Sequence, residues 1–555
     1  MARRVGAGDD ATVIGRAVLY LIPIAFLGIG FYYPLGVVLR DGLAPGPLRA
    51  VLTDPYFLHL IAFTLKQAAI STALSLALGL PGAYLLARYE FPGRRAVRAL
   101  TAVPFVLPAI TVGLGFILFF GGNGVLNRFL MWAFHLPSPP LHLLYSLTGI
   151  VLAHAFYNAP IVMRTVGAAW EGIDPSFAEA AAALGAGRWR RALGITLPLL
   201  SPAIMSSAAL VFVFTFLSFP IVLVLGGARY ATIEVGIYTL VRTLLDFPRG
   251  AALIVVETAI SLGFSYLYLR AEGRFAVPIQ GERKAPRIPF FRRGRWGEKS
   301  LLAGYAVAIG VLFLGPIGAV IADSFRGEAG PTLSHYRALV SLGYNPFLGT
   351  SPLHTILTSL EIAGIATAIA VPLGAFVVRI ATGRFPSRRI AETVLMAPLA
   401  VSSVAVGFAI LRGFSRPPFN GVGPVLTIAL AHAILIYPLV GRVLRPVVEG
   451  LDPNLIAAAR GLGAGPIRAF FEVELPLISR GVMTAIVFSF ALSMGEMSAT
   501  IILMRPGTAT IPVAVYSLLS ARQFGPASAM ASLLIGVTAV AFLAFERVGE
   551  GLGEG

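Results

Sequence analysis

The chain has 555 residues, 57% of them hydrophobic and only 12% charged, with a mean hydropathy of +0.83. That balance excludes a soluble globular protein and demands many lipid-facing segments. In this setting the net charge of +17 reads as the positive bias of cytoplasmic membrane loops rather than as a nucleic-acid surface, and zero cysteines exclude disulfides, iron–sulfur clusters and thiolate metal sites.

Crossing a hydrocarbon core of about 30 Å takes about 20 mostly apolar residues, and backbone groups in lipid must be satisfied internally, so helices are the expected spanning element. Residues 1–15 are polar, with Arg3 and Arg4. The apolar run behind them lacks a small-residue cleavage site and reads as a retained first helix. Apolar windows predict six spans in the first part of the chain, at 17–39, 60–87, 99–120, 145–167, 202–225 and 250–270. Six more follow at 301–322, 354–380, 392–412, 424–445, 481–504 and 525–546. The chain reads as an all-α polytopic membrane protein of about twelve transmembrane helices in two homologous six-helix halves, 1–270 and 300–555.

Between the halves, residues 271–299 form a basic linker. Its Arg283, Lys284, Arg287, Arg292, Arg293 and Arg295, interleaved with Pro286 and Pro289, suggest a solvated connector near anionic lipid head groups. Orientation follows from arginines. The loop after the second span carries Arg88, Arg94, Arg95 and Arg98, and the loop after the eighth carries Arg379, Arg384, Arg388 and Arg389. Both are cytoplasmic by the positive-inside rule, which also places the N-terminus and the linker inside.

The halves repeat one another in sequence. Phe91-Pro92-Gly93-Arg94-Arg95 matches Phe385-Pro386-Ser387-Arg388-Arg389, and Pro104 and Gly113 match Pro398 and Gly407. Ala153-His154, Pro160 and Arg164 pair with Ala431-His432, Pro438 and Arg442, but at a shorter spacing, so the first half carries extra residues, mostly in the external loop 121–144. Two halves of six spans each share one orientation and are expected to be related by an axis along the membrane normal, with a central translocation path between them.

The longest repeat is Glu171 to Pro198, which returns 278 residues later as Glu449 to Pro476. Asp174-Pro175 and Asp452-Pro453 combine an N-cap acceptor with a proline at the first helical position. Good helix formers follow, and Gly185 and Gly463 supply the left-handed residue that stops a helix. Each copy therefore predicts a cytoplasmic helix of about three turns whose small alanines let another protein approach closely.

With Glu179-Ala180-Ala181, Gly185 and Ile195-Thr196-Leu197-Pro198, the first copy resembles the EAA loop of permeases in binding-protein-dependent ABC importers. With two such loops, at 171–198 and 449–476, nearly the whole chain resembles the fused two-half permeases of the ferric-iron, thiamine and polyamine group. The resemblance implies coupling helices that dock on ATP-binding subunits. Carried over by position, the coupling contacts are Glu179, Ala180, Ala181 and Gly185, then Ala458, Ala459 and Gly463. One departure is that Ala457 stands where the first copy has Glu179. The resemblance also implies partners: two copies of an ABC ATPase and an extracytoplasmic solute-binding protein, the latter docking near 121–144 and 323–353. It implies a place in the inner membrane of a prokaryote, with ferric iron first among solutes, thiamine second, and polyamines or phosphonates behind them.

No G-x-x-x-x-G-K-[ST] occurs in the sequence; Gly297-Glu298-Lys299-Ser300 lacks the spacing, so ATP is expected to bind a separate subunit. No catalytic residue, cofactor or resident metal is expected. Among ionisable groups in the spans, Lys66, His154, Glu257, Glu361, His432 and Glu496 are candidates for function. His154 and His432 are expected as a hydrogen-bonded pair of packing residues at equivalent places. For Glu257 two environments stay open, a cationic partner or the external face. Ser493, Glu496, Ser498 and Thr500, opposite Ser218 and Pro220, are the expected pathway residues, because the resemblance turns the fifth span of each half towards the axis. Two rival functions remain. One is an ion-coupled secondary transporter using Glu257, Glu361 or Glu496, and the other a polytopic membrane enzyme using the histidines and acids.

Overall fold

The structure, a computed structural model, describes residues 21, 23–101, 107–227, 229–275, 287–290, 296–382 and 388–550. It is a helical bundle in which each half is built on one tight helix pair. In the first half Pro55–Arg88, the second span, packs along Leu147–Glu171, the fourth; in the second half Pro352–Thr382 packs along Pro424–Glu449 in the same way. Glycine allows this approach. A Cβ on Gly79 would come within 2.5 Å of Val162, and one on Gly374 within 2.4 Å of Val440, so each pair closes on matched residues.

The first helix of each half crosses to the other half. Pro23–Gly42 lies on Ser403–Phe414 of the second half, where Arg412 pairs with Asp41 at 2.6 Å, and its Tyr32 hydroxyl donates to the Val394 carbonyl of the preceding helix, Arg388–Met396, at 2.5 Å. Trp296–Ser324, the first helix of the second half, lies on Ala109–Phe120 of the first, and its Tyr305 hydroxyl donates to the Leu78 carbonyl at 2.6 Å. The exchange is reciprocal, as an approximate twofold relation between halves requires.

Among the described residues, ten helices are long and apolar enough to cross a membrane, and the pair Ile390–Ala400 and Ser403–Phe414, bent by 98°, makes eleven. The remaining expected span is the 25-residue helix Leu147–Glu171, in which His154, Asn158 and Arg164 dilute the apolar run. Three other expectations change in detail. The fifth and eleventh spans are broken, at Leu197–Phe216 with Pro220–Leu225 and at Leu475–Gly495 with Ser498–Leu503. Each break is followed by a further short helix, Ile233–Tyr238 or Ile511–Ser520. The loop 121–144, expected outside, holds the helix Val125–Phe134, fixed by buried Asn127, whose amide donates to the carbonyls of Gly121 at 2.8 Å and Leu141 at 2.9 Å.

The linker is the third. Arg283, Lys284, Arg292, Arg293 and Arg295 lie outside the described residues, as do Arg384 and Ser387. Residues 287–290, however, are docked on the first half: Ile288–Pro289 pairs in parallel with Tyr89–Glu90, and the Phe290 ring packs edge-on against Tyr89.

Candidate coupling loops and translocation path

Both copies of the repeated loop fold alike, and for local reasons. The Asp174 carboxylate accepts the Ser176 amide at 2.9 Å and starts the helix Pro175–Ala183; the Asp452 carboxylate accepts the Asn454 amide at 2.9 Å and starts Pro453–Gly461. At the far end Gly185 has φ +82° and Gly463 φ +89°. The Ala186 amide reaches back to the Ala181 carbonyl and the Ala464 amide to the Ala459 carbonyl, at 2.9 and 3.0 Å, closing the same glycine-terminated motif twice.

The coupling candidates divide by exposure. Glu179, Ala180 and Gly185 face outwards with Ala458 and Gly463, whereas Ala181 and Ala459 are half-buried on the inner side of their helices. Ala457 is exposed at the place of Glu179, so a charge present on one helix surface is missing from the other. The most prominent features were not anticipated. Leu184 is 89% exposed and Leu462 91%, each immediately before its glycine, and Phe177 and Leu455 are exposed at a second matched position. Two nearly bare leucines at equivalent sites on polar loops mark a surface that another protein would cover. Their signal in the sequence was the conserved spacing between copies, one residue before the helix stop.

The two loops are held differently. Glu171, where the first loop begins, receives Arg94 at 2.9 Å, with Arg98 at 3.8 Å and the linker's Arg287 at 3.5 Å. Glu298, at the start of the second half's first helix, accepts the Tyr84 and Tyr89 hydroxyls at 2.6 Å each and pairs with Arg188 of the first loop at 3.2 Å. The second loop is held from its own half: Arg445 bridges Glu449 and Glu392 at 2.8 Å each, and Arg379 pairs with Glu474. Pro466 occupies the place of Arg188.

At the breaks the structure joins residues that the sequence had offered separately. His154 lies 3.0 Å from the Ser71 hydroxyl and 2.8 Å from that of Ser218. His432 lies 2.7 Å from Ser493 and 2.8 Å from Thr500, with Glu496 3.3 Å away. The histidines are thus not paired with one another; each ties the fourth helix of its half to the break in the fifth. Glu496 also caps the helix after its break, accepting the Ala499 amide at 3.0 Å and the Thr500 amide at 3.2 Å. Ser218 and Glu496 occupy equivalent positions, and Pro220 and Ser498 begin the helices that follow.

Glu257 has neither of its expected environments. It is buried between the halves, 3.1 Å from the Ser402 hydroxyl at the bend of the ninth span and beside Glu234. Lys66 and Glu361 lie exposed on the bundle surface.

Paired halves, paired helical loops and broken fifth helices fit a membrane transport subunit. Residues 79–274 and 370–552 each match the family described as the binding-protein-dependent transport system inner membrane component, and the chain belongs to that family. It is an ABC importer permease and a multi-pass inner-membrane protein. Among its relatives, the thiamine transport system permease protein ThiP of Brucella abortus is 28% identical over 554 residues, covering 98% of this chain and 96% of the relative. The ferric transport system permease protein FbpB of Actinobacillus pleuropneumoniae is 25% identical over 559 residues, covering 97% and 78%. A putative 2-aminoethylphosphonate permease, PhnU of Salmonella typhi, is 31% identical over 267 residues, 47% of this chain and 92% of its own. A solved bacterial ABC transporter for the import of alginate covers 49% of this chain and 99% of its own at 18% identity, with a TM-score of 0.42.

Proposed function

We propose that the chain carries a small solute inwards along the axis between its halves, 1–270 and 300–555, driven by two ATP-hydrolysing subunits docked on its two coupling loops. The observation that carries this reading is the matched pair of bare leucines, Leu184 and Leu462, each on a rigid helix capped by aspartate and stopped by glycine. A rigid helix transmits displacement; a flexible loop would absorb it. An extracytoplasmic binding protein delivers the solute to the opposite face, where the 121–145 loop and the 323–331 segment together border a cleft of about 880 Å³.

For the solute, the reading is thiamine, with ferric iron second. The resemblance in the repeated loops had ranked them the other way. Similarity to thiamine permeases runs over nearly the full length of both chains, whereas the ferric relative is matched over 78% of its length, and this supports the reversal. Uptake by proteoliposomes holding the chain, two ATPase copies and the binding protein tests the reading. ATP-dependent accumulation of labelled thiamine in preference to ferric iron supports it, and accumulation of ferric iron alone overturns the choice of solute.

A further inference from the structure

Glu234 and Glu257 are each 1% exposed, deep in the bundle, and both belong to the first half. Glu234 lies on the short helix Ile233–Tyr238, whose first amide donates to the Thr64 hydroxyl at 2.9 Å. That helix packs on the sixth span, Phe247–Phe275, and on Ser403–Phe414 of the second half. A Cβ on Gly236 would lie 3.4 Å from Leu253, and one on Gly250 3.1 Å from Val241, so the short helix and the turn after it run antiparallel to the sixth span. This sets Glu234 level with the turn beyond Leu253, the turn that carries Glu257. Glu257 in turn accepts the Ser402 hydroxyl at 3.1 Å, at the 98° bend of the ninth span. Two carboxylates of the first half thus lie where Ser402 of the second crosses the boundary.

Most of their oxygens have no donor. Both oxygens of Glu234 and Oε1 of Glu257 are buried without a hydrogen bond, and among the described residues no Lys, Arg or His pairs with either carboxylate. Buried acids without a counter-charge are costly in a membrane interior. Packing does not require them. The equivalent boundary, where Ile511–Ser520 lies on Ala109–Phe120, has Pro512 in place of Glu234, Ile535 in place of Glu257 and Pro108 in place of Ser402. There the same joint closes without either acid, so the carboxylates serve something other than assembly.

We propose that Glu234, Glu257 and the Ser402 hydroxyl form a cation-binding site on the translocation path, and that the solute carried is a cation. The proposal deepens the importer reading above and rests on it. Because the site is shared between the halves, parting them bares the carboxylates. A cation leaving water finds there the counter-charge that the hydrocarbon interior denies it. Thiamine, with its permanently charged thiazolium, and ferric iron both belong to this class; a phosphonate, an anion, does not.

The test uses proteoliposomes holding the chain, its ATPase and its binding protein, with ATP-dependent uptake of labelled thiamine, ferric iron and 2-aminoethylphosphonate measured separately. We expect uptake of one of the two cations, an at least tenfold loss in the double variant Glu234→Gln with Glu257→Gln, and partial recovery in Glu234→Asp with Glu257→Asp, which keeps the charge. The double glutamine variant should melt no lower than the wild type, because it removes unbalanced buried charge, and Glu361→Gln on the outer surface should transport normally. Full uptake by the double glutamine variant, or a loss matched by a melting temperature several degrees lower, overturns the site. Uptake of 2-aminoethylphosphonate alone overturns the cation class and leaves the importer reading standing. Uptake that proceeds without ATP refutes the importer reading itself.

Discussion

His432 Nε2 lies 3.3 Å from Glu496 Oε2, whereas His154, its equivalent, meets the Ser218 hydroxyl at 2.8 Å. The same joint between fourth helix and broken fifth helix therefore sets a carboxylate beside the imidazole in one half and only a hydroxyl in the other. Glu496 additionally caps the helix beyond the break, so it holds three elements together where Ser218 holds two. Glu496→Ala should cost about 1–3 kcal/mol and Ser218→Ala about 0.5–1.5 kcal/mol. Thermal unfolding in detergent measures both, and a smaller loss for Glu496→Ala would contradict this assignment.

Leu184 and Leu462 are nearly bare, so polar substitutions there leave the fold's own packing untouched. Leu184→Asp with Leu462→Asp should keep the melting temperature of the isolated chain and abolish co-purification of the ATPase. Unfolding of the variant, or full retention of the ATPase, would show that the leucines serve another purpose.

Gly185 and Gly463 have open space around them but positive φ, so a valine at either site is strained by about 1–2 kcal/mol without any clash. The intrinsic effect is equal; the consequence should not be. The first loop carries Glu179 and is braced by Glu298 and Arg287, so distortion there reaches more contacts. Gly185→Val is expected to reduce ATP-coupled uptake more than Gly463→Val, and equal losses would argue for symmetric loops.

Glu298 belongs to the second half in sequence yet positions the first half's loop through Arg188, Tyr84 and Tyr89. The Arg188 side chain is 70% exposed, so the ion pair alone contributes less than about 1 kcal/mol, and the tyrosine hydrogen bonds carry the attachment. Glu298→Gln keeps one acceptor and should be mild. Glu298→Ala should leave the ATPase bound but at least double the ATP consumed per solute moved. Unchanged coupling in Glu298→Ala would reduce the brace to a packing detail.

What the sequence revealed followed how local the physics was. Aspartate–proline starts and glycine stops act within one turn, so the start and stop of both loop helices were legible. The breaks were not, because Ser218 and Pro220, and Glu496 and Ser498, fall within windows apolar enough to read as single spans, and only the partners on the fourth helices show why Ser218 and Glu496 lie outside regular helix. The six residues of Ile233–Tyr238 are too few for any window sized to a membrane span. The linker misled in the other direction: its basic composition suggested a free connector, while Arg287 and the strand Ile288–Pro289 are docked by contacts with Glu90, Glu171 and Tyr89, about 200 or about 120 residues away in the chain and invisible to local pattern reading. Register between the halves adds one more asymmetry. Pro34, Val38 and Asp41 match Pro316, Val320 and Asp323, which sets Arg16, outside the described residues, opposite Glu298.

The most direct measurement is solute uptake by proteoliposomes containing the chain, its ATPase and its binding protein, with each coupling helix deleted in turn, residues 174–185 or 452–463. The account predicts ATP-dependent uptake by the intact chain and its loss when either helix is removed, with the membrane bundle still folded. Full uptake by the chain alone, without ATPase or after deletion of both helices, would contradict it.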